Sequence, residues 1–84
     1  MAKNTKPRYA DPKVVLKKVG ERVRELRLAK GESNAERFAL ENEMNRVQYN
    51  RYENGEDMRL SSLLKVLNAL DITLDEFFDE RFKG

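Results

Sequence analysis

The sequence contains no cysteine, no histidine and no tryptophan. Lacking cysteine, the chain forms no disulfides and has no thiolate nucleophile. Lacking histidine as well, it has no imidazole base and almost no route to a zinc site. Carboxylates alone can hold a hard cation, but no acidic loop has the spacing this needs, so neither metal nor cofactor is expected. No nucleophile–base pair or phosphate-binding loop is present, which argues against an enzyme. The longest apolar runs are three residues, too short to cross a membrane. No signal-peptide pattern is visible, so the expected location is the cytoplasm.

The chain has 84 residues, enough for one domain with a modest core. Its net charge of +2 conceals an asymmetry. Residues 1–30 carry ten Lys/Arg against three acids, a surplus of seven positive charges. Residues 31–55 carry three Arg against five Glu, and residues 56–84 four basic residues against seven acids. A basic end and an acidic end can orient a molecule on a polyanion, although solvated helix faces give the same composition.

Residues 1–10 (MAKNTKPRYA) are polar and basic and read as a disordered N-terminal arm, with residues 11–84 as the folded domain. Asp11-Pro12 reads as an N-cap followed by proline in the first turn. A first helix then runs from Pro12 to about Ala29 or Lys30, with Leu16, Val19, Val23 and Leu26 as its apolar stripe and Gly31 as its stop. Ser33 with Glu36 fits a capping box, with Asn34 as a rival cap, and opens a second helix over about 34–41. Glu41-Asn42-Glu43 is a break, and Asn45 caps a third helix over about 46–53 that ends at Asn54-Gly55. A fourth helix covers about 61–69 with Leu63, Leu64, Val66, Leu67 and Leu70, led in by Leu60. Thr73 and Glu76 form a second capping box, opening a fifth helix over about 74–81 with Leu74, Phe77 and Phe78 apolar. No useful strand-like alternation appears, so the expected class is an all-α, compact five-helix domain.

Residues 34–55 carry the most information. Phe38, Ala39, Met44, Tyr49 and Tyr52 fall where two crossed helices pack together, while Asn45, Arg46, Gln48, Asn50 and Arg51 are polar. One face thus holds the fold and the other offers hydrogen-bonding groups, a pattern suited to the major groove of double-stranded DNA.

The order of Val23-Arg24-Glu25-Leu26-Arg27, Tyr52-Glu53-Asn54-Gly55 and the tail Leu70-Asp71-Ile72-Thr73-Leu74-Asp75-Glu76-Phe77-Phe78 resembles the lambda-repressor/Cro-like (Xre-type) helix-turn-helix family. The resemblance covers about residues 16–78. It implies that Phe38-Ala39 sits at the close approach of helices two and three, with Met44 and Tyr49 in the core. It implies a structural ion pair between Arg27 and Glu53. It puts Arg46, Val47, Gln48, Asn50 and Arg51 at base-reading positions, and Asn54 with the Gly55 backbone at a phosphate contact. Three departures stand out. Glu43 occupies the turn position where the family has glycine, which costs roughly 1 kcal/mol unless Asn42 takes the left-handed conformation. Ala35 replaces a phosphate-contacting Gln, and the loop between helices one and two is one residue longer.

The chemistry of these candidates is definite. Arg46 and Arg51 can pair with guanine O6 and N7, Gln48 and Asn50 with adenine N6 and N7, and Val47 can touch a thymine methyl. The start of helix two, at Asn34 and Ala35, offers backbone N–H groups to a phosphate, and Asn45 does so at the start of helix three. Lys3, Lys6 and Arg8 can track the DNA backbone or enter a minor groove, or form an idle tail. Phe78 and Phe82, four apart on a continuing helix, suggest a homodimer patch, unless Phe82 folds back onto the domain. The expected function is sequence-specific DNA binding by a transcriptional regulator. The alternatives are a DNA-binding antitoxin or accessory subunit with a second small protein as partner, and a purely protein-binding helical module.

Overall fold

A computed structural model describes residues 11–82. The described residues form five α-helices and a closing 3₁₀ turn: α1 (Pro12–Ala29), α2 (Ala35–Glu41), α3 (Arg46–Glu53), α4 (Leu60–Ala69), α5 (Leu74–Phe77) and the turn Glu80–Phe82. They contain no strand, and no helix among them is long and apolar enough to cross a membrane. The proposed arm at residues 1–10, with Lys3, Lys6 and Arg8, lies outside the described residues.

Local chemistry sets the helix ends. The Asp11 carboxylate accepts from Lys13 N at 3.0 Å, with Pro12 opening α1. Asn34, not Ser33, caps α2, its side chain accepting from Arg37 N at 3.0 Å. The two candidates lie side by side, and the helix begins one residue later than a Ser33 cap requires. Asn45 caps α3 through Gln48 N at 3.0 Å, and Thr73 with Glu76 forms a complete capping box on α5.

The first four helices all stop in the same way, with a left-handed residue and a backbone bond reaching back across the last turn. Gly31, Glu43, Gly55 and Asp71 hold φ of 95°, 59°, 87° and 57°. The residues after them, Glu32, Met44, Glu56 and Ile72, donate to Arg27 O, Ala39 O, Arg51 O and Leu67 O at 2.8–3.1 Å. The conformation costs a non-glycine side chain about 1 kcal/mol. At both non-glycine positions a lysine secures the turn: Lys65 Nζ donates to Glu43 O at 2.8 Å, and Lys30 Nζ pairs with the Asp71 carboxylate at 2.9 Å.

The core is Val19 and Val23 of α1, Phe38 and Ala39 of α2, Tyr49 of α3, Leu63, Val66, Leu67 and the following Leu70 from α4, and Phe77 of α5. Leu16 and Leu26 are only half-buried. Leu60, Leu64 and Leu74, apolar in sequence, stand exposed.

The fifth helix is much shorter than the expected 74–81, ending at Phe77. Phe78 turns out of the helix at ψ 70°, and the open end is held from α1. Continuing the helix would require Glu80 N and Arg81 N to donate to Glu76 O and Phe77 O. Those carbonyls instead accept from Arg22 Nη2 at 2.9 Å and Arg22 Nε at 2.8 Å. Arg22 also faces the Asp79 carboxylate at 3.4 Å, and Asp79 accepts from Arg81 N and Arg81 Nε at 3.1 Å. Arg81 reaches Glu25 at 2.8 Å, which binds the closing turn to α1.

Candidate nucleic-acid interface

α2 and α3 pack closely through Phe38 and Tyr49, whose ring centres lie 5.4 Å apart. The turn between them depends on Glu43. Asn42 keeps φ at −108° and its amide donates to Phe38 O at 2.8 Å, so the left-handed conformation falls on Glu43. Met44 then turns into a half-buried position, packed against the core.

On α3, Tyr49 is 1% exposed and Tyr52 and Glu53 are half-buried, whereas Arg46, Val47, Gln48, Asn50 and Arg51 are all exposed. With one face held inward by Tyr49, Tyr52 and Glu53, a helix of 3.6 residues per turn points Val47 and Arg51 most directly outward. Arg46 and Asn50 lie along one margin and Gln48 along the other. Gln48 and Tyr52 also line a shallow groove against α4, closed by Ser62.

Glu53 anchors the far end of α3. Arg27 Nε lies 2.7 Å from Glu53 Oε2, and Arg27 Nη2 lies 3.1 Å from Glu53 Oε1, a two-pronged pair. Arg27 Nη1 donates to Glu32 O at 2.6 Å, so a single guanidinium joins α1, the α1–α2 loop and α3. Both side chains of the pair are nearly buried. The hydrogen bond to Glu53 raises the Arg27 guanidinium above its ordinary value despite partial burial. Burial, followed by the neighbouring Glu53 carboxylate, pushes the Tyr49 phenol well above its usual range. Its hydroxyl makes no hydrogen bond among the described residues.

Gly20, which the periodicity of α1 does not single out, fixes the distance between α1 and α3. A Cβ there would stand 2.5 Å from Tyr52 O and 2.6 Å from Glu53 O. The sequence signal was available, since a glycine inside a helical pattern costs about 1 kcal/mol and often marks close packing. Helical periodicity does not single out Arg22 either, a buried charged residue beside Val19 and Val23 on the same stripe. With Arg22 and Arg27 turned inward, part of the basic surplus of the N-terminal third serves the fold and not the surface.

The phosphate candidates differ in what they offer. Asn34 and Asn45 are exposed, but each commits its side-chain oxygen to its own helix. Ala35 packs its methyl group against the core and leaves only its backbone to meet a ligand. Asn54 is exposed beyond α3, and Gly55 is half-buried against Lys17 of α1.

The Phe78–Phe82 patch does not take the form expected of one helix face. Phe78 leaves the helix at ψ 70° and is 39% exposed, while Phe82 folds back and stacks on buried Phe77 with ring centres 5.7 Å apart. Phe78 and Phe82 still meet edge to face at 4.9 Å. Leu74 and Phe78 are the exposed apolar side chains of this segment. Among the described residues, no group of acidic, His or Cys side chains is placed to hold a metal ion.

No protein-family model, curated protein or solved structure matches this chain.

Proposed function

We propose that this chain is a sequence-specific DNA-binding protein of the lambda-repressor/Cro-like helix-turn-helix type, a cytoplasmic transcriptional regulator and not an enzyme. α2 and α3 form the helix-turn-helix, and α3 enters the major groove. The observation that carries the reading is the division of α3. Tyr49 and Glu53 lock one side into the domain, while Arg46, Val47, Gln48, Asn50 and Arg51 all stand free to meet a partner. Arg46 and Arg51 read guanine, Gln48 and Asn50 read adenine, and Val47 meets a thymine methyl. Asn34, Ala35, Asn45, Asn54 and Gly55 lie on the phosphates to either side. The protein acts as a homodimer on two half-sites roughly 34 Å apart, one helical turn.

The test is binding to duplex DNA as salt is varied, with Arg46→Ala and Arg51→Ala compared with the parent. The affinity of the parent falls steeply with salt, and each variant loses roughly 1–3 kcal/mol of discrimination at one base position. A flat salt dependence with intact fold would point instead to a purely protein-binding module. Exposed Leu74 and Phe78 favour a second reading, in which the same DNA-binding domain serves as an antitoxin or accessory subunit and seats a small protein partner there. Co-purification of a second small protein with the tagged chain supports that version.

A further inference from the structure

Asn54 and Gly55 end α3 and form the one Asn–Gly dipeptide in the sequence. Such a pair carries its own reaction. The glycine nitrogen, having lost its proton, attacks the asparagine Cγ. The new N–Cγ bond closes a five-membered succinimide, the Cγ–Nδ2 bond breaks, and ammonia leaves. Water then opens the ring at either carbonyl to give aspartate or its β-linked isomer, isoaspartate. An amide and water become a carboxylate and ammonia, with no oxidant, reductant or cofactor needed. Glycine favours the attack because no Cβ crowds its nitrogen.

The structure both exposes this pair and restrains it. Asn54 is open to water. Its ψ of 5° eclipses the Gly55 nitrogen with the Asn54 nitrogen and turns it away from the Asn54 Cβ and Cγ. The Gly55 N–H is donated to Tyr52 O at 3.1 Å, and Glu56 N holds Arg51 O at 3.0 Å across the same turn. Gly55 is also seated on α1, where a Cβ would lie 3.1 Å from Lys17 Cα. Ring closure requires ψ of Asn54 to swing far from its present value, which breaks these bonds and lifts Gly55 off α1.

We propose that Asn54–Gly55 is a site of spontaneous deamidation, gated by opening of the α3 C-terminus. The product places a carboxylate at the negative end of a helix, where it is disfavoured, and the isoaspartyl form adds a backbone atom beside the Glu53 anchor. On the DNA-binding reading proposed above, on which this consequence rests, the new charge faces a phosphate and weakens binding.

The full chain is incubated at mildly alkaline pH, in buffer and in concentrated urea, and followed by peptide mapping. Aspartate and isoaspartate form at position 54 in both, at least about tenfold more slowly in buffer because the terminus must first open. Asn42, Asn45, Asn50 and Asn68, none followed by glycine, change far less. An intact Asn54 in urea, or equal rates in the two solvents, overturns the proposal. Separately, Asn54→Asp binds duplex DNA at low salt at least about tenfold more weakly than the parent. Equal affinity overturns the consequence for DNA. If the unmodified parent binds no duplex, the DNA reading fails with its consequence, while the two deamidation rates still decide the modification site.

Discussion

Replacing Gly20 with alanine sets two physical effects against each other. In an isolated helix the change is favourable, by about 1 kcal/mol, because alanine loses less backbone freedom. Here the new methyl group would lie 2.5 Å from Tyr52 O, 2.6 Å from Glu53 O and 2.9 Å from the Glu53 carbonyl carbon. All three neighbours are backbone atoms at the end of α3, so no side chain can swing aside. α1 and α3 must separate, which loosens Arg27 from Glu53. Overpacking costs about 1–3 kcal/mol, and contacts this short with rigid atoms belong at the upper end. Subtracting the propensity gain leaves a net loss of about 2 kcal/mol. For a domain of this size that lowers the melting temperature by roughly 8–16 °C. Thermal melts followed by far-ultraviolet circular dichroism, run beside Gly31→Ala, separate the effects. A Cβ at Gly31 meets none of the described residues within 4 Å, but φ is 95°, so that variant carries the left-handed penalty of about 1 kcal/mol. If Gly20→Ala melts at or above the parent, the close α1–α3 approach is refuted.

Glu53→Ala leaves Arg27 nearly buried without its carboxylate and costs about 3–5 kcal/mol in urea unfolding; a change under 1 kcal/mol would mean that the pair is exposed. Tyr49→Phe removes a buried hydroxyl that has no hydrogen-bond partner among the described residues, so stability stays level or rises by about 1 kcal/mol, and a clear loss in the same assay would reveal an unseen hydrogen bond. The Asp79 carboxyl is pushed up by partial desolvation, but the Arg81 N–H and the charges of Arg22 and Arg81 outweigh this and hold it below its ordinary value. A carboxyl lowered in the folded state stabilises above its unfolded pKa of about 3.9 and loses that contribution as pH falls further. Stability therefore declines below about pH 4 less steeply in Asp79→Asn than in the parent, read from melts across that range.

The elements ended by local chemistry were legible from residues alone. Asp11-Pro12, Asn45, Thr73 with Glu76, Gly31 and Asn54-Gly55 act within a few residues of themselves, and the structure ends or begins helices at each. The strained turn came from the family resemblance, which left Glu43 and Asn42 as rivals for the left-handed conformation, and the structure gives it to Glu43. Adjacent rivals were not separable in this way: Ser33 and Asn34 both fit a cap, and only the start of α2 decides between them. Long-range partners lay beyond reach. α5 stops at Phe77, where Arg22, 55 residues away in sequence, holds the Glu76 and Phe77 carbonyls. Gly20 likewise looks idle until α3 is folded against it. At the candidate interface, the inward role of Tyr49 and the outward stance of Arg46, Val47, Gln48, Asn50 and Arg51 followed from helical spacing. The retreat of Phe82 onto Phe77 did not, since it depends on where α5 ends.

The central claim, that the outward face of α3 reads DNA sequence, is tested most directly by selecting duplexes bound by the chain from a random pool. The expected result is an enriched palindrome whose half-sites are centred roughly 34 Å apart, with base preferences relaxed at single positions when Arg46 or Arg51 is replaced by alanine. A folded chain that enriches no sequence at low salt would contradict it.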